Sequence, residues 1–132
     1  MRNKKLDHLI DQMENYLECW KQFNSYVTLA RSKNFTPDDE THFLEVKSLL
    51  TQELEILFAS IEVANPRKDE ILSVIGDAPS IRYLSEQSEM SLRSLENQWH
   101  KIYIAWQSLL GQLKVQQRQA EKKGLFGGIF KK

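Results

Sequence analysis

Two carboxylate and imidazole pairs in this chain are spaced as metal ligands on one helix face would be: Asp39 with His42 at i, i+3, and Glu96 with His100 at i, i+4. A di-iron bundle needs a second Glu-x-x-His motif and further inward carboxylates, and the sequence supplies neither. Asp39 also has a simpler role, because it follows Thr36-Pro37 in what reads as the first turn of a helix, where a carboxylate complements the positive end of the dipole. His8 stands behind Asp7 in the first predicted turn with no evident partner. Cys19 could serve as a nucleophile, yet no His or Asn pattern accompanies it, and a lone thiol beside Trp20 fits a packed position. No phosphate-cradling glycine loop, Gly-x-Ser-x-Gly elbow or zinc-type Cys/His spacing occurs. The expectation is therefore a protein without catalytic residues, metal or cofactor, with a metal-binding or enzymatic bundle as the most remote alternative.

A different chemistry is written at the carboxyl end. Leu125, Phe126, Ile129 and Phe130 stand among Gly124, Gly127 and Gly128, between Lys122-Lys123 and Lys131-Lys132. In helical form the four large apolar residues fall at i, i+1, i+4 and i+5 on one face, with lysines at both ends. Such a segment suits a membrane surface or a groove in a partner. Full burial of those four side chains is worth about 6 to 12 kcal/mol on transfer figures. Interfacial insertion realises part of that, and each interior glycine in a helix costs about 1 kcal/mol relative to alanine. Lysines near anionic lipid add about 1 kcal/mol each. The balance describes weak, reversible attachment. Over its nine residues the tail resembles short amphipathic membrane-active peptides, and its single Gly-Leu-Phe-Gly is similar to the repeat of phenylalanine-glycine nucleoporins.

Composition limits what lies upstream. A chain of 132 residues fits one domain with a real core, and 18 basic against 18 acidic residues leave it neutral. It lacks the electrostatic footprint of a nucleic-acid binder. The charge is unevenly placed: residues 36–70 hold nine acids against Lys47, Arg67 and Lys68, while residues 1–5 and 114–132 are basic. One cysteine excludes an intrachain disulfide and points to a reducing compartment. No window reaches the roughly 18 apolar residues of a membrane span. A cytoplasmic protein, peripheral at a membrane, is the expected setting.

The elements that must position these residues are helices. Leu6, Leu9, Met13, Tyr16, Trp20, Phe23, Val27 and Ala30 alternate spacings of three and four, predicting one long helix that ends near Lys33-Asn34. Thr36-Pro37-Asp38-Asp39 opens a second, with a hydroxyl cap, proline at the first helical position and acids in the first turn. It should run to about Ala64, ahead of Asn65-Pro66. Its two apolar arcs, one through Phe43, Leu50 and Leu57 and one through Leu49, Ile56 and Val63, predict contact from two sides. A short helix covers about 67–75, and Gly76 to Pro79 restart the chain. The last helix should extend from about Ser80 to Lys123, with a strict coiled-coil-like stretch through Leu92, Leu95, Trp99, Ile102, Trp106, Leu109 and Leu113. Ser88 weakens the stripe before it and Gln116 to Glu121 make it polar after it, so one end should project from the bundle.

The resulting expectation is an all-α, antiparallel helical bundle of three long helices plus one short connecting helix over residues 1–123, followed by a flexible amphipathic tail at 124–132. Its job reads as that of a noncatalytic adaptor whose Leu125, Phe126, Ile129, Phe130, Lys122, Lys123, Lys131 and Lys132 dock reversibly on an anionic membrane surface or in a protein partner. The alternative is a small chaperone or assembly factor that shelters a partner's amphipathic helix, a build that resembles bacterial export chaperones. It requires an exposed apolar arc at about 92–106 and a dispensable tail. A homodimer through the last helix is a further candidate assembly.

Overall fold

The structure, a computed structural model, describes residues 3–130, with side chains through Lys122. Every regular element among the described residues is helical: α1 (Lys4–Ser32), α2 (Pro37–Ser60), α3 (Lys68–Gly76), α4 (Ile81–Ser85) and α5 (Glu89–Phe130). The all-α bundle predicted from periodicity is what forms, with one extra turn of helix.

α1 begins where the Asn3 side chain accepts from the Leu6 amide and ends at Lys33, whose left-handed backbone (φ 59°) reverses the chain. Three residues later Thr36 and Asp39 cap each other's backbone amides, at 3.2 and 2.8 Å, and start α2. α2 stops at Ser60, four residues before the predicted end, because Ile61 is already extended (φ −142°, ψ 157°). The β-branched Ile61 and Val63, followed by a residue that Pro66 biases away from helix, favour that outcome.

The segment after Pro79 also differs from the expectation of one continuous helix. Ser80 caps the five-residue α4 by accepting from Tyr83, and the chain breaks again at Glu86 to Ser88. Ser88 then accepts from the Ser91 amide at 3.1 Å and opens α5. The hydroxyl that weakened the apolar stripe is a cap, not a flaw in the core. α4 is held from across the bundle as well: the Glu40 carboxylate accepts from the Ile81 and Arg82 amides at 3.2 and 2.7 Å, in place of carbonyl partners that a first turn lacks.

α1 is the central helix and packs against both α2 and α5, while α3 bridges α2 and α5. Contacts along the α1/α5 seam run antiparallel, from Arg31 with Glu96, through Trp20 with Trp99, to Asp7 with Gln117. Trp20 and Trp99 lie stacked with ring centroids 6.4 Å apart, and each indole N–H donates to the other residue's carbonyl, at 3.3 and 2.8 Å. The polar edge of each ring is thereby satisfied inside the core. Tyr16 donates to the Leu50 carbonyl at 2.9 Å, tying α1 to α2. Trp106 meets Tyr16 and Phe58 edge-on, and its buried indole N–H has no acceptor among the described residues. That omission costs about 1 to 3 kcal/mol, which burial of the large ring offsets.

Lengths then decide what projects. Gln117 faces Asp7 and α1 starts at Lys4, so α5 from about residue 121 onward has no α1 counterpart. At 1.5 Å per residue the overhang to Phe130 is about 15 Å.

Candidate functional site

The paired residues that could have held a metal are assigned elsewhere. Asp39 is consumed in the α2 cap, and His42 is exposed. Glu96 does not turn toward His100. It accepts both guanidinium nitrogens of Arg31, at 2.9 and 2.6 Å, and Glu89 takes the third at 3.0 Å. Hydrogen bonds donated to Glu96, then to Glu89, hold the Arg31 guanidinium well above its ordinary pKa. This clasp fastens the end of α1 to the start of α5, and the sequence reading missed it. His100 lies exposed beside the Trp99 ring. Among the described residues no group of three or more His, Cys, Asp or Glu side chains is placed to hold a metal ion.

Cys19 sits half-buried beside α2 in a shallow cleft of about 160 Å³ lined by Gln12, Asn15, Leu49 and Glu53. Burial pushes its thiol pKa up, and the Glu53 and Glu18 carboxylates push the same way. Such a thiol stays protonated and unreactive. Burial likewise pushes the Tyr16 phenol far above its ordinary value, which keeps it a donor.

The apolar arc that a helix-sheltering chaperone requires is closed. Leu92, Leu95, Trp99, Ile102 and Trp106 are all between 0 and 8% exposed and belong to the core. The second arc of α2 is the reverse case: Leu49 and Ile56, expected to be covered, are 46% and 45% exposed. Leu49 borders the cleft beside Cys19 of α1, and Val63, the third residue of the arc, lies beyond the helix end.

What remains open on α5 is its outer face. Arg93, Lys101, Ile104, Val115, Arg118 and Lys122 are exposed, and at about 100° per residue they share an arc of about 100° on the side away from α1. Ile104 and Val115 are each 50% exposed, and Met90, on the same side, is 82% exposed. The three acids of α5 lie off this arc at Glu89, Glu96 and Glu121, and of them Glu89 reaches Arg93 at 4.0 Å. On one flank stand Glu14 and Glu18 of α1, bridged to Lys114 and Lys21. On the other stand Asp69 and Glu70 of α3, where Arg67 holds Asp69 at 2.6 Å. Lys101, Arg118 and Lys122 form no ion pair among the described residues. The face is a positive ridge with aliphatic inserts, legible in the sequence only once the helix's register is fixed.

The predicted tail continues this helix. α5 is helical through Phe130, and in an unbroken helix positions 125, 126, 129 and 130 fall on the side that carries Ile104 and Val115, opposite the seam of Leu92, Trp99, Trp106 and Leu113. Lys122 is exposed. The side chains of Lys123, Leu125, Phe126, Ile129 and Phe130, and Lys131 and Lys132 altogether, lie outside the described residues. No described helix is long and apolar enough to cross a membrane. Comparison of the chain with known protein families, with curated proteins and with solved structures finds no match in any of the three.

Proposed function

We propose that this protein is a noncatalytic helical adaptor whose C-terminal segment, 124–132, docks reversibly on a membrane surface or in a partner's groove. The observation that carries the reading is register: the four large apolar residues of the tail occupy positions of α5 opposite the seam that fills the core, on a helix that outruns α1 by about 15 Å. Among the described residues α1 does not reach alongside the backbone there. The bundle then acts as a rigid body that the tail brings to its site, and the weak net attachment suits reversible recruitment, strengthened by avidity in any oligomer.

Deletion of 124–132 tests this. The truncated chain should keep its helical circular dichroism and lose sedimentation with membranes or recovery of its partner. Unchanged membrane partitioning together with unchanged partner recovery ends the proposal.

A further inference from the structure

We infer that the docking surface is the whole outer face of α5, from Arg93 to the tail, and that its partner is an anionic lipid bilayer on which α5 lies lengthwise. This rests on the reading of the tail as a docking segment and extends it. Three cations, Lys101, Arg118 and Lys122, project from one arc of the helix without an ion pair among the described residues, interleaved with half-exposed Ile104 and Val115, while Arg93 at the start of the arc shares Glu89 at 4.0 Å. The nearest acids of α1 are bridged to lysines and Asp69 of α3 is bridged to arginine, which leaves Glu70, capping the Arg67 amide in the cleft beside Lys101, as the one flanking carboxylate without a cation partner among the described residues. A continuous helix with an acid-free arc of that length matches a flat, negatively charged, partly apolar plane, where basic side chains meet headgroups and aliphatic ones reach the acyl boundary. A protein groove accommodates a few turns of helix; this face runs for about eight turns before the tail begins. Tail insertion and lengthwise contact are geometrically compatible because both fall on the same side of one unbroken helix.

The consequence is that charges remote from the tail govern binding. The test uses the full chain and three variants, K101E with R118E, I104N with V115N, and the 124–132 deletion, each checked for unchanged helicity. Partitioning is measured by flotation with vesicles of phosphatidylcholine alone and with about 30 mol % phosphatidylserine. The inference predicts binding to the anionic vesicles only, and a loss of at least about tenfold for K101E with R118E although the tail is intact. The aliphatic pair should lose severalfold. If the deletion abolishes binding while both double variants stay within about twofold of the parent, the tail acts alone: the lengthwise inference falls and the tail reading stands. If the deletion is silent while charge reversal abolishes binding, the tail reading falls and the α5 face stands as the docking surface. Equal binding to neutral vesicles, or none to either, overturns the inference.

Discussion

The outer faces of α2 and α5 both leave aliphatic side chains in water, but in opposite electrostatic company. On α2, Leu44, Leu49 and Ile56 are 45 to 51% exposed among Glu45, Glu53 and Glu55, with three more acids in the first turn. On α5, Ile104 and Val115 are equally exposed among Arg93, Lys101, Arg118 and Lys122. Exposure alone therefore says little about function, since scattered surface aliphatics are ordinary. The sign of the neighbouring charge is what separates a face that anionic lipid attracts from one it repels. The difference is also one of reach: α2 ends at Ser60, before the extended Ile61, whereas the α5 backbone stays helical past the point where α1 begins.

The comparison presumes that the inner seam of α5 is structural and only its outer face is free. The largest effects should therefore follow changes in the seam. L95D or I102D should collapse helicity, and W106A should cost about 3 to 5 kcal/mol in urea unfolding. A variant of Leu95 that keeps its helicity and loses only an interaction would reopen the chaperone reading.

A middle-sized effect lies at the α1/α2 contact. Y16F removes the hydrogen bond to the Leu50 carbonyl and should cost about 1 kcal/mol. Burial raises the phenol's pKa in the folded chain above the ordinary value, so the folded state holds this proton more tightly than the unfolded one. That contribution is fully present below about pH 10 and is lost as pH rises past it toward the folded value. The parent should therefore weaken on the alkaline side of pH 10, and Y16F should flatten that decline in pH-dependent unfolding.

Smaller still are the changes on α2 itself. L49Q with I56Q should alter stability by no more than about 0.5 kcal/mol and leave vesicle partitioning as it was; a loss of binding would erase the distinction between the two faces. Alongside them, Cys19 should react with iodoacetamide more slowly than free cysteine at the same pH, because its raised pKa keeps the thiolate scarce.

Periodicity read the bundle well where a helix packs one continuous stripe, as in α1 from Leu6 to Ala30 and in α5 from Leu92 to Leu113. It failed where a local hydrogen bond overrode the pattern. Ser88 read as a defect in a stripe and is the cap that separates α4 from α5. Ile61 and Val63 read as a continuing helix, yet their backbone preference and the approach to Pro66 end α2 early. The second arc of α2 shows the limit most plainly, since a stripe on the sequence does not say whether another helix arrives to cover it. The Arg31 clasp joins residues 58 and 65 positions apart, and no local spacing announces it. The docking face was half legible: the tail's composition stood out, but the basic arc before it needs the register of a single helix from Glu89 onward.

The most direct measurement places one environment-sensitive fluorophore on each face in turn. In a C19S background, V115C and L49C variants are labelled and mixed with vesicles containing phosphatidylserine. The account predicts a blue shift and protection from an aqueous quencher at position 115, with position 49 remaining as it is in buffer. An equal response at both positions, or a response at position 49 alone, would contradict it.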